Sequence, residues 1–562
     1  LAAARCMVLS PESSLARMDR RLPLLASGRR DAPPRLRSLR EAIAWSYDLL
    51  APVEQTAFRR LAVFAGGFGL DGAEALLATE LAGDQPGADS ASSPAAGNPS
   101  PAQTALDLVT SLAAQSLLTR QDQPDGSVRF GMLETVREFA LECLAASGEE
   151  PAVRRRHAEH LLGCVERADR VMPRPDRWWE PFEREWGNLR AALAWTVEAG
   201  EARLGMRLGG ELFGYWMLRG QIGEGIAWLE RLLAVGVNEP AVIRGRAAMA
   251  LGALHWFAGD LDRAETLATE GRALSDSAGD AIGIALGWFL HGFLAEARGE
   301  LPAAAERLVT ARDRYIAEGQ EMAAAAVSAH LGRVLARQGD SAAAEPMLAA
   351  AVATLDRDDG GQWAAATGYA DLALLTAEFG DLPRAADLAS TGLRRHVALG
   401  DRLVFLITLA AAARIAAAAG HAEAARLVGA IEGLRAQCGP SIWGVAAPAH
   451  ERAAALARSA LGERRFLAAC EEGKLLGVEA AIAAALAVLA DITSPAAPAL
   501  ALSPRELDVL RLVTAGLTDQ EVAVVLGIRV RTVNTYVANA RRKLEAPSRA
   551  AAVAEIIRRG LA

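Results

Sequence analysis

Residues 259–274 read GDLDRAETLATEGRAL and contain the pattern that decides the fold of most of this chain. A glycine is followed by a polar residue, and a small residue, Ala264, stands five positions after the glycine, with apolar residues recurring beyond it at helical spacing. Glycine suits the left-handed backbone that ends a helix, and alanine lets a second helix pack closely against the first. The stretch therefore predicts the end of one helix, a tight turn and an antiparallel partner helix.

The same pattern occurs six times at an almost constant interval. Successive glycines are 39, 40, 40, 41 and 40 residues apart, and a small residue stands five positions after each of Gly220, Gly259, Gly299, Gly339, Gly380 and Gly420. One helix pair cannot bury its apolar face alone, so the pairs must stack. We predict a mostly α protein whose residues 151–490 form an α-solenoid of helix-pair repeats. Its concave surface suits a protein effector or a small-molecule effector, and the sequence leaves both open.

Composition excludes several protein classes. No apolar run reaches the roughly 18 residues that a membrane span needs, so we expect no membrane partner. The five cysteines show no CxxC spacing, which fits a reducing, cytoplasmic location and predicts neither a disulfide framework nor a zinc site. The chain begins with Leu1, so we expect it to be part of a longer protein.

Two segments rich in small residues and proline separate the regions of the chain. Residues 81–103 have little to bury and predict a disordered insertion, and residues 491–500 predict a linker. Before the repeats, residues 36–150 combine amphipathic helices with a hairpin whose turn is Pro124-Asp125-Gly126. Helices followed by a hairpin predict a winged-helix-like domain. We favour an internal regulatory role for this domain over a role in DNA binding.

Charge is unevenly distributed along the chain. Residues 500–562 contain ten basic and six acidic side chains, a net charge of +4, whereas the remainder contains 50 basic and 62 acidic side chains, a net charge of −12. A basic segment on an acidic body indicates a polyanionic partner for that segment.

Residues 502–544 read LSPRELDVLRLVTAGLTDQEVAVVLGIRVRTVNTYVANARRKL and contain the signals of three short helices. SPRE and TDQE are capping boxes that begin the first and second helices, and Gly527 ends the second. The second helix is predicted to bury Val522, Val525 and Leu526, and the third to bury a stripe at Val530, Val533, Val537, Ala540 and Leu544. Two helices joined by a short glycine turn, the second with a polar outer face, predict a helix-turn-helix.

The polar face of the third helix suits double-stranded DNA. Arginine and asparagine can pair in a bidentate manner with guanine and adenine, and hydroxyl and guanidinium groups bind phosphates. The alternative is a solvated charged face, on a protein-interaction scaffold with an incidental basic tail. We predict DNA contacts from Thr518, Arg529, Arg531, Thr532, Asn534, Thr535, Asn539, Arg541, Arg542 and Lys543.

The pieces LSPRELDVL, AGLTDQEVAVVLGI, RTVNTYVANARRKL and the Ser548-Arg549 pair before AAAVAEIIRRGL resemble the LuxR-type helix-turn-helix domain over residues 501–562. The resemblance implies a tetrahelical DNA-binding domain in which Glu506 and Arg549 tie the first helix to the end of the domain. The chain departs from the family where Ser is usual at Arg529, Lys at Asn534 and His at Tyr536. Loss of the serine implies loss of a helix cap.

The phrases EAIAWSYDLL, AVFAGGF and LETVREFA resemble the winged-helix region of AfsR-like signal-transduction ATPases, and the 40-residue period resembles the long tetratricopeptide-like repeats of MalT-type regulators. This resemblance implies that residues 1–35 are the remnant of the helical subdomain of a nucleotide-binding module. No GxxxxGK[ST] loop is present, and Lys474 and Lys543 are the only lysines. We therefore expect no enzyme activity and no cofactor in this chain, against the alternative of an active NTPase, while a longer protein would carry ATP and Mg²⁺.

Two further groups carry weaker signals. His157 and His160 stand three residues apart, a spacing that can share a metal ion, but no third ligand lies nearby in the sequence, so we predict no metal site. Trp178, Trp179 and Trp186 precede the repeats, and we interpret them as packing anchors in preference to a ligand pocket.

Together these patterns predict a sequence-specific DNA-binding transcriptional regulator of bacterial type, whose repeats sense a ligand or partner. One helix-turn-helix supplies few base contacts, so we expect a dimer on two half-sites. Contact with RNA polymerase is a further expectation.

Overall fold

The structure is a computed structural model that describes residues 38–77, 101–170, 179–357, 362–437, 439–493, 502–544 and 546–558. These ranges are mainly helical, and the one sheet found in them has two strands. None of the helices described combines the length and the apolar character that crossing a bilayer requires. The predicted remnant at residues 1–35 and most of the predicted insertion at 81–103 lie outside the described residues.

The front module packs five helices and a hairpin around one apolar cluster that includes Phe58 and Phe68. The hairpin confirms the predicted turn, since its strands are antiparallel with Thr119 opposite Gly131, and Gly126 has a φ of 80°. The last helix before the hairpin begins at Pro101, so the final three residues of the predicted insertion are helical instead, in keeping with the preference for proline in a first turn. The elements are α1 (Leu39–Asp48), α2 (Pro52–Leu61), α3 (Leu70–Leu77), α4 (Pro101–Ala114), β1 (Thr119–Asp122), β2 (Val128–Gly131) and α5 (Glu134–Ser147).

A buried amide joins the front module to the helices that follow it. Asn188 is fully buried; its side-chain oxygen accepts from the backbone N–H of Gly66 at 3.0 Å, and its nitrogen donates to the carbonyl of Gly67 at 2.8 Å. Arg129 of β2 donates to the carbonyls of Gly66 and Gly67 and pairs with Glu185. These contacts satisfy polar groups of the glycine pair just before Phe68, which pairs with Phe130 of the hairpin.

The repeat region consists of antiparallel helix pairs, as predicted. The six repeat glycines have φ angles of 70°, 86°, 78°, 88°, 88° and 71°, and the small residue five positions after each is buried. Both roles assigned to these residues are therefore confirmed. The helices are α6 (Glu150–Arg170), α7 (Glu180–Glu198), α8 (Ala202–Glu211), α9 (Phe213–Arg219), α10 (Ile222–Val235), α11 (Ala241–Ala258), α12 (Leu261–Ala278), α13 (Ala281–Ala297), α14 (Leu301–Ala317), α15 (Glu321–Gln338), α16 (Ser341–Arg357), α17 (Gln362–Glu378), α18 (Leu382–Ala398), α19 (Phe405–Ala418) and α20 (Ala424–Leu434).

Three further helices cover the end of the repeats and contact α18, α19 and α20. They are α21 (Pro440–Leu461), α22 (Glu463–Lys474) and α23 (Val478–Thr493). Because α23 continues to Thr493, the first three residues of the linker predicted at 491–500 are helical instead.

The superhelix closes on itself, so that its first repeat contacts its last. Arg219 donates to the carbonyl of Gly400 at 2.8 Å, and the backbone N–H of Arg402 donates to the carbonyl of Leu218 at 2.8 Å. Trp179 is 8% exposed, packs against the same end of the ring and lies under the Arg219 guanidinium, as expected of a packing anchor. Trp178 lies outside the described residues.

A buried charge cluster links three successive repeats. Arg333 of α15 pairs with Glu296 of α13 at 2.9 Å and with Asp371 of α17 at 3.5 Å, and Arg337 also reaches Glu296 at 2.9 Å. Burial raises the pKa of Asp371 to about 7. Burial also acts to raise the pKa of Glu296, but the neighbouring Arg333 outweighs it and lowers that pKa to about 2.

Four short helices form the C-terminal part of the described chain, as the tetrahelical prediction requires. They are α24 (Pro504–Thr514), α25 (Asp519–Leu526), α26 (Val530–Lys543) and α27 (Arg549–Arg558). Their apolar side chains form two small clusters, one around Val509 and Val533 and the other around Leu510 and Ile556.

The predicted core of these helices is correct in its centre and wrong at two edges. Val533, Val537 and Ala540 are buried as predicted, but Val525 is 58% exposed and Val530 is 39% exposed. At 100° per residue, the buried face of α25 includes Val522, Ala523 and Leu526, and Val525 lies to one side of it. Val530 is the first residue of α26 and extends beyond the helices that cover the rest of its stripe.

Candidate nucleic-acid interface

Two capping boxes position the helices of the interface. The Ser503 hydroxyl accepts from the backbone N–H of Glu506, whose carboxylate accepts from the backbone N–H of Ser503 at 2.6 Å. Thr518 and Glu521 repeat this arrangement, with the backbone N–H of Thr518 donating to the carboxylate at 2.7 Å. These hydrogen bonds from Thr518 hold the pKa of Glu521 below its usual value. Both predicted helix starts are confirmed.

The turn between α25 and α26 is as short as a helix-turn-helix requires. Gly527 ends α25 with a φ of 65°, and Arg529 is the N-cap of α26. The Arg529 side chain makes no capping hydrogen bond, so the first turn of α26 lacks an N-cap side chain; the backbone N–H of Thr532 in this turn donates to the carbonyl of Arg529 at 2.8 Å. This agrees with the expected loss of a cap where the family usually has serine.

The outer face of α26 is polar and open to solvent. Arg531, Asn534, Thr535 and Arg542 are exposed, and Arg529 before the helix is exposed as well. Among the described residues, neither Arg529 nor Arg531 has an ion-pair partner. The structure thus brings these side chains together on the side of α26 opposite its buried valines.

The remaining predicted contacts are partly occupied within the protein. The Lys543 ammonium pairs with Glu506 at 2.7 Å, and Arg541 is half-buried and donates to the carbonyl of Pro547 at 2.6 Å. Thr518 is held in its capping box, while Thr532 and Asn539 are half-buried. Contact with nucleic acid stays a prediction, both for these residues and for the exposed residues of the preceding paragraph.

Two ion pairs hold the four helices together. Glu506 is 4% exposed and ties α24 to the end of α26 through Lys543. Arg549, at the start of α27, pairs instead with Asp519 at the start of α25. Both residues therefore form ion pairs between helices of this domain, but neither pair ties the first helix to α27 as the resemblance implied. Lys543 and Asp519 were not recognised as their partners from the sequence, because the paired residues lie 37 and 30 positions apart.

One group of side chains elsewhere has the spacing of metal ligands. Ligand atoms of Asp71, His160 and Cys164 lie within 4.8 Å of one another, so the fold supplies neighbours of His160 that the sequence did not indicate. His157 instead packs edge-on against Phe64, away from this group. Burial raises the pKa of the Cys164 thiol, and Arg167 donates to its sulfur at 3.2 Å. A protonated thiol beside a guanidinium does not favour a cation, and we assign no metal to this group.

Comparison with known proteins bears first on the C-terminal helices. Residues 500–556 match the family model described as bacterial regulatory proteins, luxR family. This range contains α24, α25 and α26 and nearly all of α27.

Several proteins similar to this chain come from mycobacteria. The chain is 26% identical to a Mycobacterium tuberculosis protein provisionally named HTH-type transcriptional regulator Rv0890c, in an alignment that covers 100% of this chain and 79% of that protein. It is 35% identical to the similarly named Mb0914c of Mycobacterium bovis over 41% of this chain and 24% of that protein. It is also 34% identical to the uncharacterized Mycobacterium tuberculosis protein Rv0894 over 29% of this chain and 36% of that protein.

Solved structures are similar only at a coarse level. A signal-transduction ATPase with numerous domains and a tetratricopeptide-repeat sensor, PH0952 from Pyrococcus horikoshii, aligns with 88% of this chain and 73% of its own length at 14% identity and a TM-score of 0.43. A similarity of this size has no bearing on function. The family model and the geometry of the four helices agree, and residues 500–556 are a LuxR-family helix-turn-helix domain.

Proposed function

We propose that this chain is a sequence-specific DNA-binding transcriptional regulator. The observation that carries the proposal is the exposed polar face of α26, which follows a helix-turn-helix turn and is backed by a buried valine stripe. An α-helix with such a face fits the major groove of B-DNA. The role proposed for this chain is regulatory and not catalytic, and the proposal includes a cytoplasmic location, where bacterial chromosomal DNA lies.

Contacts divide by chemistry and by position on the helix. Asn534 lies in the first turns of α26, the part of a recognition helix that faces base edges, and Asn can read adenine. Arg529, Arg531, Thr535 and Arg542 supply guanidinium and hydroxyl groups for phosphates. Thr518, Thr532, Asn539, Arg541 and Lys543 complete the proposed contact surface, with weaker contributions where an internal partner already holds the side chain.

The remaining parts of the chain are proposed to regulate this contact. The closed ring of repeats would bind an effector, and the bound state would change the availability or pairing of the DNA-binding domain through a shift in population. A dimer on two half-sites supplies the affinity that a single domain lacks. Contact between the DNA-bound protein and RNA polymerase is part of the same proposal.

Selection of bound duplexes from a random pool by the full chain, followed by gel shifts, tests the proposal. We expect one enriched motif that is bound at least about tenfold more tightly than scrambled duplex at physiological salt. Asn534→Ala should reduce that discrimination while leaving the salt dependence of binding unchanged. No enrichment, or equal binding of all duplexes, would favour the protein-interaction scaffold, and saturable ATP binding by this chain would revive the NTPase alternative.

A further inference from the structure

Closure of the repeat ring encloses a large cavity. Its volume is about 690 Å³, which lies in the range of pockets that hold drug-sized molecules. Side chains of α11, α13, α15, α17, α19 and α21 line it, so both ends of the closed superhelix contribute to its wall. A molecule in the cavity would therefore contact repeats that are far apart in sequence.

The wall is aromatic in its interior and charged at its rim. Trp256, Phe289, Phe293 and Trp363 are among the residues that line the interior. Arg203, Arg207 and Arg246 also line the cavity and are exposed, with Arg207 paired to Glu166 and Arg246 paired to Asp280. The interior thus offers apolar contact, whereas at the rim Arg207 and Arg246 are paired and Arg203 has no ion-pair partner among the described residues.

Two buried N–H groups in this wall have no acceptor among the described residues. His330 is 4% exposed and Trp256 is 6% exposed, and the Nε2 atom of His330 and the Nε1 atom of Trp256 are both buried and without a hydrogen-bond partner. Phe293 packs against both rings, with centroid distances of 5.2 Å to Trp256 and 4.5 Å to His330. Both donors therefore belong to rings that pack against the same phenylalanine.

The tautomer of His330 follows from its other nitrogen. Nδ1 lies 2.8 Å from the Arg333 guanidinium, which can only donate, so Nδ1 is the acceptor and the proton of the neutral ring is on Nε2. Burial, reinforced by the charge of Arg333, holds the pKa of His330 well below its usual range, which keeps the ring neutral. Leaving a buried donor without an acceptor costs about 1–3 kcal/mol, so an acceptor supplied by a bound molecule would be favourable.

Among the described residues, no unpaired cation lines the interior of the cavity. Arg333 lines the cavity, but it is already paired with Glu296 and Asp371. A carboxylate or phosphate brought into this interior would lose its hydration without gaining an unpaired positive charge.

We propose that the ring cavity is the effector site and that it binds a neutral, largely apolar ring compound. A carbonyl or ether oxygen of this compound accepts hydrogen bonds from His330 Nε2 and Trp256 Nε1. As an effector site, the cavity rests on the proposed regulatory function, whereas occupancy of the cavity can be measured in the absence of DNA. Because its wall comes from both ends of the superhelix, occupancy stabilises the closed ring.

The test measures binding of a matched pair of small probes to the full chain without DNA. The first probe is 6-propionyl-2-(dimethylamino)naphthalene, a neutral ketone, and the second is 2-(dimethylamino)naphthalene, which has the same rings and no carbonyl. Dissociation constants are obtained by equilibrium dialysis. The variants are His330→Phe and Trp256→Phe, which each remove one donor and keep an aromatic ring, and Ala253→Phe, which places a ring in the cavity space lined by Ala253. His450→Phe is the control, since His450 is buried but does not line the cavity.

We expect each donor variant to weaken ketone binding about threefold to tenfold and to leave binding of the carbonyl-free probe nearly unchanged. Ala253→Phe should abolish binding of both probes, and His450→Phe should alter neither. Thermal melts monitor folding; if His330→Phe unfolds because Arg333 loses an acceptor, Trp256→Phe still tests the donor role. Ketone binding that survives Ala253→Phe, or an equal preference for the ketone in all variants, overturns the proposal. Gel shifts on the same variants test DNA binding separately, so failure of either proposal can be recognised.

Discussion

The proposed phosphate contacts make a quantitative prediction about salt. Arg531 and Arg542 are exposed on the outer face of α26, and neither forms an ion pair with an acidic side chain among the described residues. Replacing either by alanine should therefore remove a DNA contact without breaking an internal ion pair. We expect Arg531→Ala and Arg542→Ala to weaken binding to specific and non-specific duplexes alike.

The magnitude follows from release of counterions. Each lost phosphate contact should flatten the slope of log affinity against log salt by about 0.9. Between 50 and 200 mM salt, the ratio of wild-type to variant affinity should then fall about 3.5-fold for one contact and about 12-fold for the double variant.

Fluorescence anisotropy of a labelled duplex, titrated with the full chain at four or five salt concentrations, measures both the affinity and the slope. Arg505→Ala is the matched control, because Arg505 is an exposed arginine of the same domain that belongs to α24 and not to α26. Its guanidinium lies 3.9 Å from the Asp508 carboxylate. It changes the net charge by the same amount but should leave the slope nearly unchanged. Equal slopes for the wild type and the α26 variants would refute the placement of Arg531 and Arg542 at phosphates.

Three further predictions concern stability. Asp371→Asn should flatten the pH dependence of the urea midpoint. Burial raises the folded-state pKa of Asp371 to about 7, whereas the carboxyl of the unfolded chain ionises near pH 4, so the wild type should lose stability as pH rises from about 4 to about 7. A wild-type midpoint that rises through this window would contradict the prediction. Gly429→Ala should lower the free energy of unfolding by about 1–3 kcal/mol, since its Cβ would lie 2.0 Å from a backbone oxygen of α22. Gly444→Ala is the control, because a Cβ at Gly444 would meet no atom within 4 Å outside its own stretch of helix, and we expect it to leave the free energy of unfolding unchanged. Equal effects of the two glycine variants would disprove close packing at Gly429. Glu506→Gln should destabilise the DNA-binding domain by about 1–3 kcal/mol, because Lys543 loses its charge partner, and unchanged hydrogen exchange in α24 and α26 would show that this pair is dispensable.

Much of the architecture could be read from local patterns. The repeat glycines, the small residues five positions after them and the two capping boxes predicted helix ends that the structure confirms. Each of these signals acts within a few residues of the chain, since a left-handed backbone or a missing cap is a local requirement. The LuxR-like motifs are equally local, which is why the C-terminal domain was identified without coordinates.

Predictions that depended on distant neighbours were less successful. The helical period placed Val525 and Val530 in the core, but each lies at the edge of the buried face, and only the packing of neighbouring helices sets the width of that face. The partners of Lys543 and Arg549 lie on other helices, so their ion pairs have no local signature.

The sequence by itself determined that this chain is a stack of helix pairs with a basic helix-turn-helix at its end, because those features follow from backbone geometry, periodicity and charge. Only the tertiary structure decided that the stack closes into a ring. Contacts such as Arg219 with Gly400 join residues that are 181 positions apart, and closure depends on the sum of small rotations between successive repeats. The cavity has walls from both ends of the stack because of that closure, so no local pattern could have revealed it.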